Sequence, residues 1–158
     1  MKKSDVLYVI VVGVLLVGIV LLVIFKFVLK PQESFSITHI DELKVTDLNG
    51  TEVKLIDILS TVDEAFCLIF NLNSDCFSCV YKGIEDLKNL KNAGKVCFGL
   101  VIHNSIDEVR GWASNYEFSP FLMIKKLDFF DHIKSVSTPV FVKISKDNVE
   151  SYRYITGD

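Results

Sequence analysis

The sequence predicts an α/β domain in which helices flank a central mixed sheet. Three observations lead there. Two near-continuous apolar runs, 65–71 and 95–102, read as strands covered on both faces. A helical stretch follows each of them, at 80–92 and 105–116. That alternation produces parallel neighbours joined by right-handed crossovers. A hairpin pattern stands on either side of the unit, one near the start of the domain and one at its end.

Before the domain comes a different kind of segment. Residues 1–5 form a short head containing Lys2 and Lys3. Residues 6–25 carry no charge and consist almost entirely of Val, Leu, Ile, Gly and Phe. About twenty residues at a rise of about 1.5 Å reach about 30 Å, the thickness of a hydrocarbon core. The stretch 6–29 is therefore read as a single transmembrane helix. The run exceeds the apolar region of a signal peptide, about 7–15 residues, and no A-x-A-like site follows, so it reads as a retained anchor. Gly13 and Gly18 do not make a G-x-x-x-G pair. Lys2 and Lys3 are nearly balanced by Lys26 and Lys30, so flanking charge alone does not orient the span. The short head before the span and the whole domain after it favour a cytoplasmic N-terminus and an extracytoplasmic domain. Residues 30–34 are the linker and 35–158 the domain. Four cysteines fit an oxidising compartment.

The elements of the domain follow in order. A short strand lies within 36–45. Asp47-Leu48-Asn49-Gly50 reads as a hairpin turn with Asn49-Gly50 as its central pair, returning through 52–55. A helical turn falls at 56–60. After the buried strand 65–71 come Cys76 and Cys79, then the helix 80–92, closed by Gly94 at the left-handed C′ position. Strand 95–102 follows. Ser105 and Glu108 form a capping box that opens a helix to about 116, with Val109, Trp112 and Tyr116 on its apolar stripe. A strand at 121–125 and a helix at 128–134 precede Pro139. Strand 140–144, a turn at 146–148 and strand 150–155 close the domain. The sequence stops at Asp158, where a further helix would begin: either that helix is absent, which would expose one sheet face, or the chain continues beyond Asp158.

Cys76-Phe77-Ser78-Cys79 is where chemistry concentrates. It sits at the carboxyl end of a central strand, where open α/β sheets bind ligands. Two cysteines three positions apart at a helix start are spaced to close a small disulfide ring. The first thiol meets converging helix N–H groups, which favour its thiolate. Competing readings of the pair are a structural staple or half of a metal site. Phe77 reads equally as an exposed apolar contact and as a lid on the core. Cys67 and Cys97, inside the apolar strands, read as buried free cysteines. His39, His103 and His132 show no ligand spacing and read as surface or loop residues. The chain has 20 acidic and 17 basic residues and no basic stripe, which argues against nucleic acid as a partner. It has no phosphate loop, no H-E-x-x-H and no G-x-S-x-G.

These residues together resemble the thioredoxin superfamily, and most closely its membrane-tethered branch related to TlpA and ResA. Residues 45–55, VTDLNGTEVKL, are similar to the hairpin that opens domains of that branch. The strand, C-x-x-C and helix follow in the expected place, and Thr138-Pro139 resembles the pair whose proline is cis beside the redox disulfide. The resemblance spans nearly all of 35–155. It implies a thioredoxin-like fold and a thiol-disulfide oxidoreductase. Cys76 is then the attacking thiol and Cys79 the resolving one, while Phe77, Thr138 and Pro139 contact substrate. It implies no cofactor beyond the redox-active disulfide and no metal. The partners are protein thiols and disulfides and a membrane or soluble electron donor.

Departures stand beside the resemblance. Asp75 takes the place of thioredoxin's Trp, and a carboxylate beside Cys76 opposes its thiolate unless it points away. Phe70 replaces thioredoxin's buried acid, leaving Glu85 and Asp57 as the acids to weigh for proton transfer to Cys79. Two other functions use the same pair: a Cu(I) metallochaperone recruiting His103 or His132, although its usual spacing has three residues between the cysteines, and a non-catalytic interaction module.

Overall fold

Within the domain, alternating side chains of two central strands divide the core into two layers. The computed structural model describes residues 35–135, 137–145 and 149–156, together with Val12, Gly13, Leu15, Val17 and Gly18. The chain forms two units, Met1–Ser34 and Phe35–Asp158. In the first, those five residues are helical. The rest of the expected span 6–29, the head and the linker lie outside the described residues. Among the described residues no helix is long and apolar enough to cross a membrane.

The second unit runs β1 (Ser36–Ile37), β2 (Lys44–Asp47), β3 (Glu52–Lys54), α1 (Leu55–Leu59), β4 (Glu64–Asn71), α2 (Phe77–Asn92), β5 (Val96–Ile102), α3 (Ile106–Ala113), β6 (Phe121–Ile124), α4 (Lys126–His132), β7 (Ile133–Lys134), β8 (Val140–Ser145) and β9 (Val149–Tyr154). The main sheet has the order β3-β2-β6-β5-β4-β8-β9. β4 and β5 pair in parallel from Ala65↔Val96 to Asn71↔Ile102, and β6 adds to β5 in parallel. β2 and β8 flank this trio antiparallel, which makes the sheet mixed.

Period-two alternation sends Ala65, Cys67 and Ile69 to one face of β4 and Leu68 and Phe70 to the other. The first face packs with α1 and α4 through Leu55, Leu59 and Phe129. The second packs with α2 and α3 through Val80, Ile84, Leu87 and Val109. Cys67 belongs to the first layer and Cys97 to the second, so these buried cysteines lie on neighbouring strands but opposite faces. Gly99 makes room for the second layer. A Cβ there would sit 2.4 Å from Cδ1 of Phe121, whose ring stands edge-on to Trp112 and Phe118.

Four elements depart from the sequence reading. The first hairpin does not centre on Asn49-Gly50 as a pair: Gly50 has φ 90°, whereas Asn49 does not have positive φ. The Asp47 carboxylate accepts from the N–H groups of Asn49 and Thr51, and Gly50 N–H reaches Asp47 O. The result is a three-residue loop with glycine in the left-handed position. Helix α2 starts at Phe77 rather than at 80, because the Cys76 side chain supplies its cap. Helix α3 ends at Ala113 rather than near 116; Asn115 and Tyr116 N–H groups bond back only three residues, tightening the chain into turns. Helix α4 starts earlier than 128 and stops at His132, because Ile133 and Lys134 pair with β1 in a separate two-stranded sheet. The turn expected at 146–148 lies outside the described residues.

Arg153 of β9 ties the edge of the sheet to α2. Its guanidinium lies 5.0 Å from the ring centre of Phe141 and pairs with Asp86 of α2.

Candidate functional site

The end of β4 and the start of α2 place the two cysteines. Strand β4 ends at Asn71, and Asp75 N–H returns to Asn71 O, turning the chain sharply into the helix. Cys76 is the N-cap residue of α2. Its sulfur accepts the Cys79 N–H at 3.4 Å, the place a Ser or Asp oxygen usually fills. The Ser78 hydroxyl lies 3.1 Å from the same sulfur. Cys76 is exposed, and Cys79, one turn on, is buried beneath it. Both are free thiols.

This geometry splits the two acidities. A hydrogen bond from the Cys79 thiol, then one from Ser78, then the Cys79 backbone N–H hold Cys76 down at about 7 from the usual 9.0. The hydrogen bond to Cys76 and burial push Cys79 up. The reachable sulfur is thus the one half-ionised near neutrality, which is what a nucleophile for disulfides requires. Alkylation of Cys76 by iodoacetamide is expected to rise with pH through a midpoint near 7 and level off above it. Ser78→Ala removes a hydrogen bond to the thiolate and moves that midpoint upward. A midpoint near 9 in the native protein would contradict the arrangement.

Asp75 does not oppose this thiolate by facing it. Its Oδ2 accepts from Asn71 N–H at 2.7 Å, and its Oδ1 accepts from the Thr138 hydroxyl at 2.7 Å. Thr138 precedes Pro139, and the bond between them is cis. One carboxylate therefore ties the residue before Cys76 to the residue before the buried cis-proline. Pro139 O in turn accepts from Ile155 N–H. Sequence reasoning identified each of these residues but missed the bond joining Asp75 to Thr138. An acid next to a cysteine and a Thr-Pro sixty-three residues away carry no local sign of contact.

Phe77 is 69% exposed, so it does not serve as a lid on the core. Its ring borders a groove of about 480 Å³ between α2 and the end of α3, together with Tyr81 and Trp112. Phe70 fills the place of the absent acid with a fully buried ring 5.1 Å from Trp112. Neither acid weighed for proton transfer is directed to Cys79. Glu85 pairs with Lys88 at 2.9 Å, and Asp57 is exposed on α1, whose buried residues pack on the other face of the sheet.

His103 and His132 have polar partners of their own. His103, read as a surface or loop residue, follows β5 in a loop but is buried. Its Nδ1 accepts from Ser105 N–H at 3.0 Å, and its Nε2 lies 3.2 Å from Asn73 Nδ2 and 3.5 Å from Glu108 Oε2. His132 Nδ1 lies 3.3 Å from Thr38 O, beside the small sheet. Among the described residues no three His, Cys, Asp or Glu side chains gather as a metal-binding set.

Solved structures share this architecture. The chain is similar to the thioredoxin domain of a thiol-disulfide oxidoreductase from Bacteroides vulgatus, at 14% identity and TM-score 0.57 over 72% of this chain and 84% of that one. It is similar to a thiol:disulfide interchange protein from Bacteroides sp., at 14% identity and TM-score 0.56 over 70% and 75%. A third likeness is to BsSco, a member of the Sco family of cytochrome c oxidase assembly proteins, at 13% identity and TM-score 0.54 over 73% and 83%. The fold is thioredoxin-like. No protein-family model matches the sequence, and no curated protein matches it.

Proposed function

We propose that the protein is a membrane-anchored thiol-disulfide oxidoreductase of the TlpA and ResA type. One observation carries the reading: an exposed Cys76 sulfur caps α2 and is held near pKa 7 above a buried partner thiol. The Cys76 thiolate attacks one sulfur of a substrate disulfide. A Cys76–substrate bond forms, the substrate S–S bond breaks, and the released sulfur takes up a proton. Cys79 then loses its proton and attacks the Cys76 sulfur. The Cys76–Cys79 bond forms, and the second substrate sulfur leaves and is protonated. Two electrons and two protons pass to the substrate, and the reverse sequence oxidises a dithiol. The two sulfurs carry the electrons, so no cofactor enters.

The apolar stretch 6–29 supplies the anchor, with the N-terminus in the cytoplasm and the domain outside. Substrates are protein thiols and disulfides, and a membrane or soluble donor resets the pair. An extended substrate pairs with the main-chain groups of Thr138, the residue before Pro139. The likeness to a Sco protein keeps a Cu(I) role as the second reading, with Cys76 and Cys79 as the soft ligands.

The test is exchange of the reduced full-length chain with oxidised glutathione and with insulin. Wild type is expected to react with both, and Cys76→Ser to lose at least about a hundredfold of the rate. Absence of exchange in the wild type would refute the proposal. Stoichiometric Cu(I) uptake by that inactive protein, lost in Cys76→Ser, would favour the second reading.

A further inference from the structure

We propose that the groove between α2 and α3 is a substrate subsite, selecting a peptide segment that carries an aromatic side chain close to its cysteine. The inference rests on the exchange reading above and names its substrate class.

The groove starts at the residue after the reactive sulfur. Phe77 forms its near wall, Tyr81 follows one turn along α2, and Trp112 supplies the facing wall. Phe77 and Tyr81 are 69% and 49% exposed, so two large rings present much of their surface to solvent on the helix that Cys76 caps. Large exposed rings grouped beside a reactive group mark an interaction surface rather than scattered surface apolarity. A smaller hollow of about 90 Å³ shares Phe77 and Trp112 and extends the surface back to Asp75. The volume of about 480 Å³ falls within the range of ligand sites, about 300–1,000 Å³.

Size and chemistry select the occupant. From Phe77 to Lys88 the helix rises about 16 Å, the reach of about five extended residues. A substrate whose sulfur is bonded to Cys76 must lay its flanking chain on the surface around that sulfur. Aromatic walls favour offset or edge-to-face stacking of an incoming ring. Lys88, Asn115 and Glu117 add polar lining, and the Lys88 ammonium is already held by Glu85. They match the amides of a peptide better than a second apolar residue.

The experiment compares two disulfide-linked peptide dimers, identical except for Phe or Ser two residues after the cysteine. Each is reacted with the reduced full-length chain in detergent micelles, with oxidised glutathione as a reference. The wild type is expected to react about tenfold faster with the Phe peptide. Tyr81→Ser should bring that ratio close to one, and Tyr81→Phe should restore it. Equal rates for the two peptides in the wild type overturn the proposal, as does an unchanged ratio in Tyr81→Ser. A concentration-dependent dimer that Tyr81→Ser dissolves assigns the groove to a second copy, and also overturns it. Failure with glutathione as well as both peptides removes the exchange reading, and this subsite with it. Exchange with glutathione but no peptide preference removes the subsite alone.

Discussion

Cys79→Ser is expected to stop exchange at a covalent adduct between Cys76 and its substrate. In the native protein the second sulfur is held one helical turn away, buried under the first. That placement makes resolution intramolecular, and well-placed intramolecular groups act at effective concentrations of about 10⁵ M or more. External thiols at millimolar levels do not replace it, so escape from the adduct should slow by at least about a thousandfold. The acidities set the order of events. While Cys76 is free, the Cys79 thiol donates a hydrogen bond to it and stays protonated. Once the Cys76 sulfur is bonded to substrate, that acceptor is weakened and Cys79 is released to attack. Intact-mass measurement after mixing reduced Cys79→Ser with oxidised glutathione should show one glutathione per chain, lost on adding dithiothreitol. The wild type should show none at the same time point. An adduct that maps to Cys67 or Cys97, or equal adduct in both proteins, would contradict the assigned roles.

Much of this site was legible because its signals are local. A buried strand, two cysteines at helical spacing and an amphipathic helix lie within thirty residues, and their order alone sets Cys76 at the carboxyl end of β4. The parallel pairing of β4 and β5 followed from the crossover rule. What escaped depends on contacts across the chain. The early start of α2 needs a sulfur acting as cap, a role that sequence rules assign to oxygen. The groove needs Tyr81 and Trp112 brought to opposite walls; read along the sequence, Trp112 belonged to the apolar stripe of its own helix. His103 looked like an unremarkable loop residue because its partners, Asn73 and Glu108, come from both sides of β5. Ile133 and Lys134 continued a helical pattern until β1 offered them a pairing edge.

The hydrogen bond between Asp75 and Thr138 should prove the chief support of the site outside the cysteines. Asp75→Ala leaves a backbone N–H and a hydroxyl without their acceptor in a half-buried loop. Hydrogen bonds to a charged group contribute about 1.5–3 kcal/mol each, and losses that share one acceptor are not additive. A loss of about 2–4 kcal/mol in unfolding free energy is expected from denaturant titration. Thr138→Val removes only the hydroxyl, and about 1–2 kcal/mol with it, whereas Thr138→Ser keeps it. The double variant Asp75→Ala/Thr138→Val should be less destabilised than the sum of the two singles, because the same bond is absent from both. A coupling energy near zero would show that the two side chains act independently. The consequence for exchange is separate from stability. With the tie cut, the loop carrying Thr138 and cis Pro139 is no longer fixed to the residue before Cys76. Protein disulfides that must lie across both segments should then react more slowly, chiefly through a higher KM. Oxidised glutathione, which needs only the sulfur, should be much less affected. The Cys76 titration should keep its midpoint near 7 in Thr138→Val, since the hydrogen bonds that set it come from Cys79 and Ser78. A large shift of that midpoint would mean that the tie governs the thiolate itself rather than the surface presented beside it.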